Sequence, residues 1–274
     1  MHHTTICAIA TPPGVGGIAV LRVSGEKAFD ICQQIFSTKK NILLSEQKPN
    51  TIHFGSIVED AQVIDEVLLA IFKAPHSYTG ENVVEISCHG SYYIQQKILE
   101  LLIKKGAVLA QPGEFTMRAF LNGKMDLAQA EAVADVIASE SHLAHQTAMH
   151  QMRGGFSEEL KKLRIKLLDF ASLIELELDF SEEDVEFAKR EDLLLLAEEI
   201  AQALSSLSES YILGNVIKKG LSVAIVGETN VGKSTLLNVL LNEEKSIVSD
   251  IHGTTRDVVE DTIHIHGVLF RFID

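Results

Sequence analysis

LSVAIVGETNVGKST, residues 221–235, is the stretch on which the reading of this chain turns. A short β-branched run from Leu221 to Val226 leads into a glycine loop, Gly227 to Ser234. That loop meets G-x-x-x-x-G-K-[ST] at every fixed position. Leu236, Leu237, Leu240 and Leu241 continue at helical spacing, so strand, loop and helix follow in the order a P-loop requires. Gly227 and Gly232 let backbone N–H groups close around phosphates, and Lys233 can reach the β and γ oxygens. The Ser234 hydroxyl can ligate Mg²⁺. The expected triphosphate contacts are Asn230, Val231, Gly232, Lys233, Ser234 and Thr235.

Working outward, Ser246-Ile-Val-Ser-Asp-Ile-His-Gly-Thr-Thr-Arg-Asp257 lies between the loop helix and an expected strand, Val258–Ile265. Its position matches a switch I segment that closes on Mg²⁺ and the γ-phosphate through Thr254 and Thr255. Ser249, Asp250, Ile251, His252 and Gly253 belong to the same expected nucleotide contact. The chain ends on an apolar run, Phe270-Arg-Phe-Ile-Asp274, where Asp274 stands in the place of a Walker-B acid. The expectation is therefore a nucleotide-binding domain cut short within this sequence.

Upstream, two further zones differ in pattern. Up to about residue 118, short β-branched runs alternate with glycine and proline. Expected strands are Thr4–Ala10, Ile18–Val23, Ile52–Val58, Glu66–Phe72 and Val83–Cys88, with helices at Glu26–Phe36 and Tyr92–Lys105. This mixture reads as α+β. From 119 to 213 the strand signal vanishes. Leu127, Ala130, Val133, Ala134 and Ile137 recur at helical spacing, as do Leu160, Leu163, Leu167, Leu168, Phe170, Ile174 and Leu178, and then Leu193 to Leu207. Such stripes are buried against one another in a helical bundle. Gly214 and Gly220 bracket an expected short linker. The division is 1–118, 119–213 and 214–274.

A chain of 274 residues with 46% hydrophobic content is long enough for several cores. No run approaches the roughly 18 apolar residues of a membrane span, and the start lacks the pattern of a signal peptide. Cys7, Cys32 and Cys88 form no C-x-x-C pair, which suits a reducing cytoplasm rather than a zinc or disulfide frame. The net charge of −14 argues against broad adhesion to nucleic acid, though a local basic patch or a partner can still engage RNA. Much of that acidity lies in Asp179, Glu182, Glu183, Asp184 and Glu186, which read as a solvated face or hinge. Ser181 with Asp184 reads as the N-cap of a following helix. His89, beside Cys88, reads as a strand-end turn without chemistry, since neighbouring strand residues point to opposite faces.

GETNVGKSTLLNVLLNEEKSIVSDIHGTTRDVVED resembles translation-factor-like GTPases that pair an N-x-G-K-[ST] loop with a G-T-T-R-D switch. In that group an Asn at position 230 is associated with a potassium ion beside the β and γ phosphates. The resemblance implies K⁺ ligands at Asn230, Ser249, Ile251 and Thr254, and Mg²⁺ ligands at Ser234 and Thr255. Thr229 replaces a frequent Pro, and Ser249 stands where Thr is common.

The N-terminal motifs narrow the resemblance. They are TPPGVGGIAVLRVSG (11–25), SYTGENVVE (77–85), PGEFTMRAFLNGKMDLAQAEA (112–132) and DFSEED (179–184). Together they resemble the MnmE (TrmE) family of tRNA-modifying GTPases of bacteria and organelles. The resemblance implies an N-terminal folate-binding α+β domain that also dimerises, an α-helical domain, and a P-loop α/β GTPase domain. It further implies action with the flavoprotein MnmG, in a heterotetramer, on the wobble uridine (U34) of tRNA. An aminomethyl or carboxymethylaminomethyl group would be added at C5 from a one-carbon unit of 5-formyl- or 5,10-methylene-tetrahydrofolate. By match of motif, Arg22, Glu81 and Lys124 are the folate-binding residues. On this reading the chain serves a GTPase with GTP, Mg²⁺ and K⁺, and hydrolyses poorly in the form given. Two other readings stand beside it: a ribosome-assembly GTPase with its own N-terminal domain, and a non-catalytic folate-binding dimerisation module.

Overall fold

Gly16–Ser24, whose burial alternates from Ala19 to Val23, forms a nine-residue strand inside the sheet of the first unit. The computed structural model describes residues 4–39, 41–179, 189–227, 232, 233, 235–237, 239, 260–265 and 268–273. The chain divides into two compact units, Met1–Ala130 and Glu131–Asp274.

In the first unit β1 (Ile6–Ile9), β2 (Gly16–Ser24), β3 (Phe36–Ser37), β4 (Thr51–Glu59), β5 (Gln62–Phe72), β6 (Val83–Gly90) and β7 (Val108–Leu109) make one sheet. Its order is β3-β4-β5-β6-β2-β1-β7, antiparallel except where β7 joins β1. The helices α1 (Ala28–Gln33) and α2 (Tyr92–Lys104) bury one face of it. Leu21 and Val23 of β2, Leu69 and Ile71 of β5, and Val84 and Ile86 of β6 point into that core. On α2 the stripe Ile98, Leu101 and Leu102 meets them. Gly106, at φ +104°, ends α2 in a Schellman turn: its N–H donates to Ile103 O and that of Ala107 to Leu102 O. A third helix, α3 (Glu114–Leu121), follows β7.

The five expected strands are present as β1, β2, β4, β5 and β6. The helix expected at Glu26–Phe36 is shorter, because Phe36 pairs with Ile57 as β3. Local periodicity favoured helix there, and long-range pairing decides otherwise. The strands β3 and β7 and the helix α3 were not anticipated. The expected boundary between 118 and 119 falls inside α3.

In the second unit, α5 (His142–Met152), α6 (Gly155–Asp179) and α7 (Arg190–Lys219) follow α4 (Leu127–Ile137), and α4–α7 are the helical bundle. The Ser141 hydroxyl caps α5 by accepting from Ala144 N–H at 3.2 Å. No sequence signal announced α5, whose buried residues are the small Ala144 and Ala148. Phe170 of α6 and Leu196 of α7 form a small core with Ile174, Leu193 and Ile200. The linker expected between Gly214 and Gly220 is instead the last turns of α7, which runs on to Lys219. A single glycine costs a helix about 1 kcal/mol, too little to end one this long. The expected cap at Ser181 and Asp184 lies outside the described residues.

Strands β8 (Leu221–Ala224), β9 (Glu260–Ile265) and β10 (Val268–Ile273) form a three-stranded sheet. The central β10 lies parallel to β8 and antiparallel to β9. Ile263, Leu269 and Phe272 are buried.

Candidate functional site

The face of the first sheet opposite α1 and α2 carries the polar candidates. Pairing sets Arg22 of β2 opposite Glu85 of β6, Glu85 opposite Ala70 of β5, and Ala70 opposite Ile52 of β4. The next row runs from Val20 through Ser87 and Leu68 to Phe54. Ile18, Ile52, Phe54 and Leu68 are exposed, so an open apolar surface adjoins the charges.

At the Arg22 end a loop and a helix clasp each other. The Arg22 guanidinium pairs with Glu85 Oε1, through Nε at 2.8 Å and Nη2 at 2.7 Å. Its carbon lies 5.1 Å from the Tyr78 ring centroid and 5.6 Å from that of Phe115, within cation–π range. Tyr78 Oη is 2.8 Å from Thr116 Oγ1 on α3. Asn122 Nδ2 donates to Thr79 O at 2.7 Å, and Lys124 Nζ to Pro75 O at 3.0 Å. Gly80 sits at φ +77°, and a Cβ there would lie 3.2 Å from Asn122 Cβ and 3.3 Å from Lys124 Cγ. That left-handed turn and close approach suit glycine.

Glu81 follows Gly80. Its carboxylate accepts from Ser24 Oγ at 2.7 Å and from Arg118 Nη1 at 3.2 and 3.3 Å. Ser24 Oγ in turn lies 2.7 Å from Thr79 Oγ1. Arg118 is buried, and its other bonds go to Glu114 and Thr4.

The structure therefore gathers Arg22, Glu81 and Lys124 around one loop, residues 75–81: Arg22 against Tyr78, Glu81 within it, Lys124 at Pro75. Arg22 and Glu81 are half-buried rather than plain surface charges. Sequence reasoning passed over Arg118, Glu85, Tyr78 and Phe115. One signal for Arg118 was present: Glu114 stands one helical turn before it, at the i,i+4 spacing of an ion pair. A half-buried carboxylate, two aromatic rings and a guanidinium therefore lie along one clasp.

His89 is not in a turn but within β6. Its Nδ1 lies 2.6 Å from Asp65 Oδ1, and its backbone N–H donates to Asp65 Oδ2 at 2.8 Å. The side chain is exposed while Cys88 is buried, the alternation expected of a strand. Burial pushes the Cys7 and Cys88 thiols up to about 11. It raises the Cys32 thiol as well, with Cys7 adding to the effect. All three cysteines are free.

Of the nucleotide candidates, Gly232, Lys233 and Thr235 are among the described residues. Gly232 is exposed at φ +96°, and residues 233, 235–237 and 239 are helical. Lys233 Nζ donates to Gly227 O at 2.7 Å. Leu236 N–H donates to Gly232 O at 2.9 Å, a helical i,i+4 bond. Asn230, Val231, Ser234, Ser249, Asp250, Ile251, His252, Gly253, Thr254, Thr255 and Asp274 lie outside the described residues. Among the described residues no three His, Cys, Asp or Glu side chains gather as metal ligands. Among them, too, no helix is long and apolar enough to cross a membrane.

Residues 5–124 match the family model described as GTP-binding protein TrmE N-terminus, and residues 127–267 match the MnmE helical domain. The tRNA modification GTPase MnmE of Bacteroides thetaiotaomicron is 65% identical over 275 residues, covering 100% of this chain and 59% of that protein. Its counterpart in Porphyromonas gingivalis is 62% identical, covering 100% of this chain and 58% of that protein. For Cytophaga hutchinsonii the figures are 56% identity, 100% and 59%. The chain thus spans under three-fifths of the length of these curated relatives.

Proposed function

This chain belongs to the MnmE (TrmE) family, and we propose that it serves a GTPase that modifies C5 of the wobble uridine of tRNA. In this reading the domain that ends near Lys124 binds a tetrahydrofolate and dimerises, α4–α7 form the helical domain, and the chain after Gly220 begins a P-loop GTPase domain. The protein works in the cytoplasm with the flavoprotein MnmG, and the folate supplies the one-carbon unit for an aminomethyl or carboxymethylaminomethyl group.

The observation that carries the folate assignment is the clasp between loop 75–81 and the segment 114–124. Glu81 keeps acceptor capacity beyond its bonds from Arg118 and Ser24, enough to take an N–H of a pterin. In the same clasp Tyr78 and Phe115 present ring faces to the Arg22 guanidinium. Arg22 already has a carboxylate partner in Glu85, so a second carboxylate, from the ligand's glutamyl end, would share or displace it. Lys124 can pair with the same end. The exposed apolar residues Ile18, Ile52, Phe54 and Leu68 suit the same face of a second copy, which agrees with a homodimer formed through this domain.

For the nucleotide, the reading is supported by the G-x-x-x-x-G-K-[ST] spacing, by the bond from Lys233 Nζ to Gly227 O and by the positive φ of Gly232. Lys233 would exchange its bond to Gly227 O for the β and γ oxygens. Ser234 and Thr255 would hold Mg²⁺, while Asn230, Ser249, Ile251 and Thr254 would hold K⁺. Asp274 would stand behind the Mg²⁺ site. The two cations would neutralise charge developing on the phosphates.

Calorimetric titration with 5-formyltetrahydrofolate, and with GTP in potassium and in sodium buffer, tests both halves. Folate should bind, and Arg22→Ala should weaken it by about 1.5–3 kcal/mol, the range for hydrogen bonds to charged groups. Unchanged affinity would remove Arg22 from the site. Equal GTP affinity in sodium and potassium would contradict the cation assignment.

A further inference from the structure

Arg118 is 2% exposed, and the chain itself uses its whole guanidinium. Nη1 donates to Thr4 O at 2.8 Å and to the two Glu81 oxygens at 3.2 and 3.3 Å. Nη2 donates to Glu114 Oε1 at 2.9 Å and to Thr4 Oγ1 at 3.3 Å, and Nε to Glu114 Oε1 at 3.3 Å. A side chain so enclosed cannot reach a ligand. The carboxylate of Glu114, one turn away on α3, already neutralises it.

The second carboxylate is then surplus to charge balance, and it stands on a loop. Two carboxylates on one guanidinium leave net negative charge at the more open one. Glu81 is that one, with 21% of its side chain exposed against 14% for Glu114. Ser24, buried at the end of β2, braces the carboxylate from a second side. The arrangement fixes a negative, half-open carboxylate without itself filling all its acceptor sites.

We propose that Arg118 is a positioning residue for the folate site, acting through Glu81 to aim its free lone pairs at the amino-pyrimidinone edge of the ligand. The proposal rests on the folate reading above. It assigns Arg118 a part in recognition that a simple staple between Thr4 and α3 would not have.

The experiment is a double-mutant cycle read by calorimetric titration of 5-formyltetrahydrofolate, with melting curves to establish folding. Arg118→Lys keeps the charge but cannot span all three partners. It should weaken binding about tenfold in the wild-type background and less than about twofold beside Glu81→Gln, the non-additivity of residues in one network. Equal losses in both backgrounds would overturn the proposal and leave a staple. Where Glu81→Gln binds too weakly to measure, a 2-desamino-2-methyl analogue of the ligand replaces it. Arg118→Lys should then weaken the parent compound alone, and equal weakening of both would overturn the proposal. If Arg118→Lys does not fold, Glu114→Gln loosens the guanidinium from its far side and goes through the same cycle, with the same two outcomes. Wild-type protein that binds no folate sinks the underlying reading; additive losses in protein that does bind sink this inference alone.

Discussion

The first unit and the helices of the second handle similar apolar residues differently. In residues 1–130, Leu21, Val23, Leu69, Ile71, Val84 and Ile86 line one sheet face, and α1 and α2 close over them. Among the described residues of α6 and α7, the buried contact is Phe170 against Leu196, with Ile174, Leu193 and Ile200 beside it. Leu167, Leu168, Leu178, Leu194 and Leu195 of the same helices remain exposed. A sheet offers one broad surface that two helices can cover, whereas two helices enclose only the line along which they touch. Apolar periodicity therefore identifies a helix without saying how much of its stripe leaves water.

That contrast can be broken by measurement, and the largest effect should come from the sheet core. Leu69→Ala should destabilise the first unit by about 3 kcal/mol in urea unfolding, the cost of a buried cavity. A loss under about 1 kcal/mol would mean that the core is looser than its burial implies.

The buried thiols sharpen the same point through pH. An unfolded cysteine ionises near pH 8.5, by the ordinary thiol value. Burial holds Cys7 and Cys88 protonated until about 11. Only the unfolded chain then loses protons in between, so this contribution is complete below about pH 8.5 and declines as pH rises toward 11. The melting temperature of the first unit should fall over that window, and Cys88→Ala should flatten the fall. A pH-independent melting temperature would contradict the burial.

The smallest effect should come from the exposed stripe. Leu178 is 67% exposed, so Leu178→Ser should shift stability by less than about 0.5 kcal/mol. A loss comparable to that of Leu69→Ala would show that something covers α6 in solution.

The candidate site was partly legible in the same way. Arg22, Glu81 and Lys124 lie in three separate motifs, and their resemblance to known sequences singled them out before any geometry did. Their companions were silent for physical reasons. Glu85 matters because it pairs across strands with Arg22, and Tyr78 because a loop folds it over the guanidinium. Arg118 joins Thr4, Glu81 and Glu114, which are spread over more than a hundred residues. The α5 helix was silent for a different reason, since alanines carry its contacts and leave little hydrophobic signal.

What the sequence determined alone was whatever depends on neighbours along the chain. This covers the strand β8, the helical residues that follow Gly232, the alternation of β2, β4, β5 and β6, and the helical stripes of α6 and α7. Backbone sterics and side-chain period set these within a few residues. Only the tertiary structure decided matters that depend on distant partners. Among these are Phe36 leaving a helix for a strand, α7 running through Gly214, His89 tied to Asp65, and a buried arginine holding Glu81. Each turns on a contact whose free energy appears only once the chain has brought remote segments together, and no local pattern records it.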